Sequence, residues 1–211
     1  MPEGPLSGIK VIEITTFQQG PVAGMRLADL GADVIKIEPK DGDPARRHMR
    51  TIEAEFHVKG DNYYFEHANR NKRGIVLDMK KEQGMEVFLR LIDSADVFLN
   101  NMSIGAPLRL GIGPEALLAR NPRLIYAQAS GWGRKGPIAN SLSFDYTGIA
   151  RSGLMMAAGE DKTPPCMMLP GLGDELGGLM CAWGVTLALF AREKTGRGQR
   201  VDTSLMGSVV A

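Results

Sequence analysis

The feature that most constrains the fold is a strand, helix and strand pattern at the start of the chain. Residues 9–14 are mainly β-branched and apolar, which predicts a buried parallel strand. Apolar residues recur at helical spacing through residues 21–30, with Pro21 expected at the first helical position and Gly31 at the left-handed cap. Residues 33–38 predict a second strand. This β-α-β unit implies a right-handed crossover and a parallel sheet.

The alternation continues along the chain. Further strands are predicted at residues 74–78, 96–100, 124–127 and 200–203, and further helices at residues 81–92, 114–120 and 175–192. The last of these helices is mostly apolar, so it is expected to be buried. The polar residues 39–71 predict a long connection with some helix, and residues 204–211 predict the beginning of a helix. The pattern favours an α/β class: a Rossmann-like, open, mainly parallel sheet with helices on both faces.

Charge and hydropathy argue against nucleic-acid and membrane partners. The formal net charge is +1 and the basic residues form no block, whereas nucleic-acid binding needs clustered positive charge. The longest apolar run, residues 179–191, is interrupted and short for a hydrocarbon core of about 30 Å. The first residues show no signal-peptide pattern, so a cytoplasmic protein is expected.

Metal and disulfide chemistry are also disfavoured. The two cysteines, Cys166 and Cys181, form no CxxC pair, which argues against structural zinc and a disulfide framework. The histidines, His48, His57 and His67, are nine and ten residues apart, which suits no single helical face. They are expected to be surface or loop residues, and no metal site is predicted.

The first loop raises a dinucleotide-binding alternative, because strand, turn, helix and strand is the Rossmann order. The fingerprint needs a G-x-G-x-x-G series so that the backbone can approach a pyrophosphate. Here Gly20 is followed by Pro21, which has no N–H to donate. A nicotinamide-dependent enzyme is therefore disfavoured.

The most informative carboxylate is Asp174, which lies within the glycine-rich residues 171–178. By spacing alone the favoured interpretation is an N-cap of the long helix. A catalytic role is compatible with that position, because free N–H groups and the helix dipole are expected to keep the carboxylate ionised. The neighbouring glycines leave room for a substrate carbonyl, and an accessible carboxylate can act as a nucleophile toward an activated acyl group.

Several short segments occur in one order along the chain: GIKVIE at 8–13, GP at 20–21, LADLGADVIKIE at 27–38, NKR at 71–73, LDMK at 77–80, NPRLIY at 121–126 and KTGRGQ at 194–199. In these segments the chain resembles the family III CoA-transferases, which include formyl-CoA transferase, carnitine CoA-transferase and α-methylacyl-CoA racemase. The resemblance covers the N-terminal part of the family's usual length. It implies that residues 1–211 are the large Rossmann-like domain, apparently truncated, with the small lid domain absent.

The resemblance also implies roles for individual residues. Asp174 corresponds to the family's nucleophile, and Gln18 to a glutamine whose amide binds acyl oxygens as they gain charge, with Gln19 as a rival. The expected CoA contacts are Leu77, Lys80, Asn101, Met102, Arg109 and Lys40, the last in place of an arginine that often follows the glutamate of the second strand. No permanently bound cofactor is expected, because coenzyme A enters as the thioester of a substrate.

One departure from the family separates transfer from racemisation. The racemases have a histidine acid/base where this chain has Phe144, and a proton cannot be removed and returned on opposite faces without two bases. Phe144 is expected to line the core or a pocket. The predicted activity is therefore CoA transfer from an acyl-CoA to a carboxylic acid through aspartyl-anhydride and aspartyl-CoA thioester intermediates. The alternatives are a non-catalytic CoA-binding subunit of a heteromeric transferase and, third, an acyl-CoA racemase. The family forms interlocked dimers, so a homodimer or a heteromeric partner subunit is expected.

Overall fold

A single parallel sheet organises the described part of the chain. The computed structural model describes residues 4–48, 62–160, 162–166 and 169–211. Their six strands are β1 (Lys10–Ile14), β2 (Asp33–Glu38), β3 (Arg73–Val76), β4 (Val97–Asn100), β5 (Ile125–Ser130) and β6 (Arg200–Ser204). The spatial order is β3-β2-β1-β4-β5-β6, and all five neighbouring pairs are parallel. This is the doubly wound Rossmann order, so the predicted fold class is confirmed.

Helices connect the strands and cover both faces of the sheet. They are α1 (Gln19–Asp29), α2 (Ala45–His48), α3 (Tyr63–Asn69), α4 (Glu82–Asp93), α5 (Ala106–Arg109), α6 (Pro114–Arg120), α7 (Asp145–Arg151), α8 (Leu154–Ala157), α9 (Leu172–Thr195) and α10 (Leu205–Val210). The predicted elements are all present, with ends that differ by a few residues. Residues 49–61, which include His57, lie outside the described part of the chain, as does the side chain of His48.

Alternation along the buried strands divides the core into two layers. Val11 points into a layer that it shares with α1 and α9, whereas Ile12 points into a layer on the opposite face with Phe88 of α4. In the second layer the rings of Phe98 and Tyr126 meet edge to face, with centroids 5.4 Å apart. The strands are therefore apolar on both faces, as expected for a covered parallel sheet.

The long helix α9 is only half buried, so the expectation of a buried helix was wrong for one of its faces. Its inner face packs against α1, β5 and β6, and includes Cys181 and Val185. Its outer face exposes Leu179, Trp183, Leu187 and Phe190, each at least half accessible. By length and composition alone α9 could cross a membrane. This was not predicted from the sequence, because the apolar run at residues 179–191 is shorter than the helix. Its inner face, however, is packed as a core helix of a globular fold.

The sequence predicted some helix ends correctly and others incorrectly. Gly31 has φ +98°, which confirms the predicted left-handed cap of α1. Ser204 caps the N-terminus of α10, because its hydroxyl accepts a hydrogen bond from the N–H of Gly207 at 3.0 Å. Pro21 is the third residue of α1 and not the first, because the helix already begins at Gln19. The two glutamines before Pro21 therefore lie at the beginning of a helix, which determines where their side chains point.

Candidate active site

The candidate site lies where the chain reverses its direction across the sheet. From β1 the chain runs outward through β2 and β3, and then returns to β4 on the other side of β1. Loops that follow β1 and β4 therefore face a crevice at the carboxyl edge of the sheet, where ligands bind in open α/β folds. Gln18 follows β1, and Asn101 follows β4.

The first turn of α9 is capped by a side chain from another helix. Gly171 is the N-cap residue, with φ +83°, and Asp174 is the third helical residue, so the predicted N-cap role of Asp174 was wrong. The buried carboxylate of Asp145, at the start of α7, accepts hydrogen bonds from the N–H groups of Gly171 at 2.7 Å and Asp174 at 3.0 Å. Asp145 thus satisfies two backbone donors at the N-terminus of α9.

Burial changes the ionisation of Asp174. Desolvation, together with the nearby charges of Asp145 and Glu175, raises the pKa of the Asp174 carboxyl from 3.8 to about 7. The expectation that the helix terminus holds this carboxyl ionised was therefore wrong. Asp145 already accepts the N–H of Asp174 itself, and the neighbouring carboxylates of Asp145 and Glu175 oppose a third negative charge. An acid with a pKa near neutrality in a cleft is typical of a functional group.

The structure separates the two candidate glutamines. The amide of Gln18 lies over Gly171, where an added Cβ would be 2.6 Å from its Nε2, and it donates to Glu175 Oε1 at 3.3 Å. Gln19 is buried and its amide donates to the carbonyl of Ser130 at 3.4 Å. Gln18 therefore shares the first turn of α9 with Asp174, whereas Gln19 is part of the packing between α1 and α9.

Four residues of the site were missed by sequence reasoning. Glu175 and Asp145 are described above. His67 of α3, expected to be a surface or loop histidine, has its Nε2 2.8 Å from Glu175 Oε1. Desolvation and the charge of Asp174 raise the pKa of Tyr64, which places its ring in the same neighbourhood. Only the adjacency of Glu175 to Asp174 is visible in the sequence. The other contacts join segments that are far apart in the chain.

A buried group of four charged side chains supports the loop that carries Gln18. Lys36 contacts Asp43 at 2.9 Å and Glu13 at 3.3 Å, and Lys72 contacts Glu13 at 2.9 Å. All four side chains are at most 2% accessible, so two acids and two bases balance one another in the interior. Asp43 also accepts the N–H of Phe17 at 3.1 Å, which holds that residue at φ +61°.

The predicted CoA contacts follow three strands, β2, β3 and β4, at the carboxyl edge of the sheet, with β1 lying between β2 and β4. Lys40 comes after β2, Leu77 and Lys80 after β3, and Asn101, Met102 and Arg109 after β4, the last of these ending α5. Lys40, Lys80 and Arg109 are exposed, and Leu77 and Met102 are partly buried against the core layer that contains Ile12. The three cations thus border one edge of the crevice.

Two other predicted residues have contacts that the sequence did not indicate. The amide of Asn101 pairs with the backbone of Thr16, accepting its N–H at 3.0 Å and donating to its carbonyl at 2.8 Å. This pair ties the end of β4 to the loop after β1. Phe144 was expected in the core or a pocket, but it is 61% exposed, because it precedes α7 and only the next residue turns inward.

The arrangement can support acyl chemistry without a metal. Among the residues that the structure describes, no three His, Cys, Asp or Glu side chains are arranged to hold a metal ion. What the site offers is a carboxyl with a pKa near 7, an amide beside it and an open, glycine-rich helix terminus. These groups suit nucleophilic attack on an activated carbonyl.

Comparison with known proteins gives a consistent picture. A family model described as CoA-transferase family III matches residues 6–211. An acetyl-CoA:oxalate CoA-transferase of Acetobacter aceti is 40% identical over 100% of this chain and 53% of its own length. An (R)-2-hydroxy-4-methylpentanoate CoA-transferase of Clostridioides difficile is 36% identical over 97% of this chain and 51% of its own length.

Solved structures agree with the sequence relatives. The crystal structure of a CAIB/BAIF family protein from Brucella suis has a TM-score of 0.90 and 35% identity, and it covers 99% of this chain and 55% of that chain. The chain thus spans about half the length of the curated relatives it matches. Its match to the family model covers nearly all of its residues, and the site residues lie on the matched segment. The chain belongs to CoA-transferase family III.

Proposed function

We propose that the protein transfers CoA from an acyl-CoA to a carboxylic acid, with Asp174 as the covalent nucleophile. The observation that carries the proposal is the position of this carboxyl in the first turn of α9, the turn over which the Gln18 amide lies, with a pKa of about 7. About half of the carboxyl is therefore ionised at neutral pH, and it is basic enough to be a better nucleophile than an ordinary aspartate.

The proposed reaction consists of four acyl transfers. Asp174 attacks the thioester carbonyl of the donor, the C–S bond breaks, and a mixed anhydride and CoA thiolate form. The thiolate attacks the aspartyl carbonyl, which releases the donor acid and leaves an aspartyl-CoA thioester. The acceptor carboxylate attacks this thioester and forms a second anhydride with release of thiolate. The thiolate then attacks the acceptor's acyl carbon, which gives the new acyl-CoA and restores the carboxylate.

Each step places negative charge on a carbonyl oxygen, and the proposed role of Gln18 is to bind that oxygen. One hydrogen of its Nε2 is directed to Glu175, so the second remains for an oxyanion. Removal of a single oxyanion donor typically lowers kcat by about 10²–10³-fold. The exposed Lys40, Lys80 and Arg109 are proposed to bind CoA phosphates, and Leu77, Asn101 and Met102 to contact the rest of the nucleotide.

The environment of Asp145 favours transfer over racemisation. Both of its carboxylate oxygens accept backbone N–H groups, and the preceding Phe144 carries no base. No second acid/base pair therefore faces Asp174 from α7, and racemisation needs two bases. Retention of protium at the α-carbon of an acyl-CoA in D₂O is the expected result, whereas incorporation of deuterium there would indicate racemisation.

The proposal is tested by isotope exchange. The protein is incubated with acetyl-CoA, succinyl-CoA or a branched acyl-CoA and a labelled carboxylic acid, oxalate included, and label entering the acyl-CoA pool is measured. Ping-pong exchange is expected with at least one pair, and Asp174→Asn should abolish it while leaving CoA binding and assembly intact. Exchange that survives Asp174→Asn would refute the assignment. CoA binding without exchange would instead favour the non-catalytic subunit.

Assembly and location form part of the same proposal. The outer face of α9 exposes Leu179, Trp183, Leu187 and Phe190. Four large apolar side chains exposed on one helix face are typical of an interaction surface, which supports a homodimer or a heteromeric assembly. Light scattering measures this directly, with a monomeric mass as the contrary result. A cytoplasmic location is proposed with it, since the substrates are acyl-CoA thioesters.

A further inference from the structure

The carboxylate of Glu175 connects three separate parts of the fold at the candidate active site. His67 Nε2 of α3 lies 2.8 Å from its Oε1, and Gln18 Nε2 of the loop after β1 lies 3.3 Å from the same oxygen. Arg26 Nη2 of α1 approaches the second oxygen at 3.4 Å. A surface glutamate ordinarily forms one ion pair or hydrogen bond, whereas three donor groups contact this carboxylate.

The donors keep Glu175 charged and fixed in place. Its burial alone would raise its pKa, but the hydrogen bonds from His67 and Gln18 and the charge of Arg26 lower the pKa below the ordinary glutamate value. The side chain is 30% accessible, so its contacts are partly shielded from water. The carboxylate is therefore a stable acceptor for the Gln18 amide.

Gln18 depends on this acceptor for its orientation. The amide lies between Gly171, whose missing Cβ provides the space, and Glu175, which accepts its N–H. A glutamine side chain has three rotatable bonds, and holding it in one arrangement costs conformational entropy. A fixed acceptor offsets part of that cost before substrate arrives, so the amide is already held over Gly171 in the first turn of α9.

We propose that Glu175 is a positioning residue that orients the Gln18 amide beside Asp174, with His67 and Arg26 holding Glu175 in place. The inference rests on the proposed CoA-transfer function and extends it. Glu175 touches no reacting atom in this scheme and orients Gln18. Its charge also helps to raise the pKa of Asp174, an effect that Glu175→Gln removes while keeping the acceptor oxygen. Removal of the Glu175 side chain should therefore lower kcat, while the KM for acyl-CoA, which depends on the cations at the other strand ends, changes less than about twofold.

A double-mutant cycle with Gln18 tests this dependence. Glu175→Ala should lower kcat about tenfold in the otherwise unchanged protein, but less than twofold in the Gln18→Ala background, where the amide is already absent. Glu175→Gln, which keeps an acceptor oxygen and the side-chain length, should recover kcat to within about threefold. Glu193→Ala, an exposed substitution at the far end of the same helix, is the matched control and should leave kcat unchanged.

The outcomes separate this inference from the function on which it rests. Equal losses from Glu175→Ala in both backgrounds would overturn the positioning role, as would an unchanged kcat in the first background. A loss from Glu193→Ala as large as that from Glu175→Ala would overturn it too. Absence of exchange activity in the unchanged protein would overturn the proposed function and this inference together. Unfolding midpoints in urea verify that each variant is folded.

Discussion

The raised pKa of Asp174 should make its replacement stabilising, and increasingly so as the pH rises. The folded carboxyl has a pKa of about 7, against an ordinary value of 3.8. The folded state therefore binds a proton that the unfolded chain has already released, and stability falls as the pH rises between these two values. Asp174→Asn removes the titrating group but keeps the backbone N–H that Asp145 accepts.

The size of the effect follows from the width of this window. Each pH unit between the unfolded and folded pKa contributes about 1.4 kcal/mol. Between about pH 5 and pH 8 the titration spans about two units, so the advantage of Asp174→Asn should grow by about 3 kcal/mol, reduced somewhat by remaining contact with water. Little further change is expected above about pH 8, where both states are ionised.

Urea denaturation measures this difference directly. Unfolding of wild type and Asp174→Asn is followed by circular dichroism near pH 5 and near pH 8, with equal m-values required for the comparison. Asp41→Asn, an exposed substitution outside the site, controls for the loss of one negative charge. A stability difference that is the same at both pH values would refute the argument, because it would show that Asp174 does not hold an extra proton in the folded state.

Three further predictions concern the supports of the site. Lys72→Met, which removes one of the two positive charges beside the Glu13 carboxylate, should lower the free energy of unfolding by about 3 kcal/mol. Adding Glu13→Gln should restore part of this loss, and strictly additive losses would contradict a balanced buried network. Gly171→Ala should lower both stability and activity, because the added Cβ would clash with the Gln18 amide. Gly196→Ala, at φ +69° with open space around it, should lower stability alone. Equal losses of activity in the two variants would contradict this. Arg109→Ala should raise the KM for acyl-CoA about tenfold with kcat unchanged, and an unchanged KM would remove Arg109 from the CoA site.

The sheet was predictable because its determinants are local. Apolar β-branched segments such as residues 9–14 predict buried strands, and the right-handed crossovers restrict how those strands can be ordered in the sheet. The position of Asp174 at the start of a long helix was likewise visible in the glycines around it. These features depend on residues within one or two turns of each other.

The ionisation and capping at Asp174 were not predictable in the same way. The dipole of α9 is local and would lower the pKa of Asp174. Burial and the Asp145 carboxylate, which raise that pKa, depend on tertiary packing, and Asp145 lies 29 residues earlier in the chain. The choice of Gln18 over Gln19 rested on the family resemblance and left Gln19 as a rival, because the sequence pattern alone does not separate the two. Neighbouring helical positions point about 100° apart, and the sequence does not show which of them faces α9. His67 meets Glu175 across 108 residues, which no local pattern reveals.

The central claim, covalent catalysis by Asp174, is tested most directly by trapping the intermediate. The protein is mixed with an acyl-CoA that supports exchange, quenched with hydroxylamine or borohydride, digested, and its peptides are analysed by mass spectrometry. The account predicts a hydroxamate or a reduced alcohol on the peptide that contains Asp174, and none in Asp174→Asn. An unmodified Asp174 peptide in protein that turns over acyl-CoA, or a modification on another carboxylate, would contradict it.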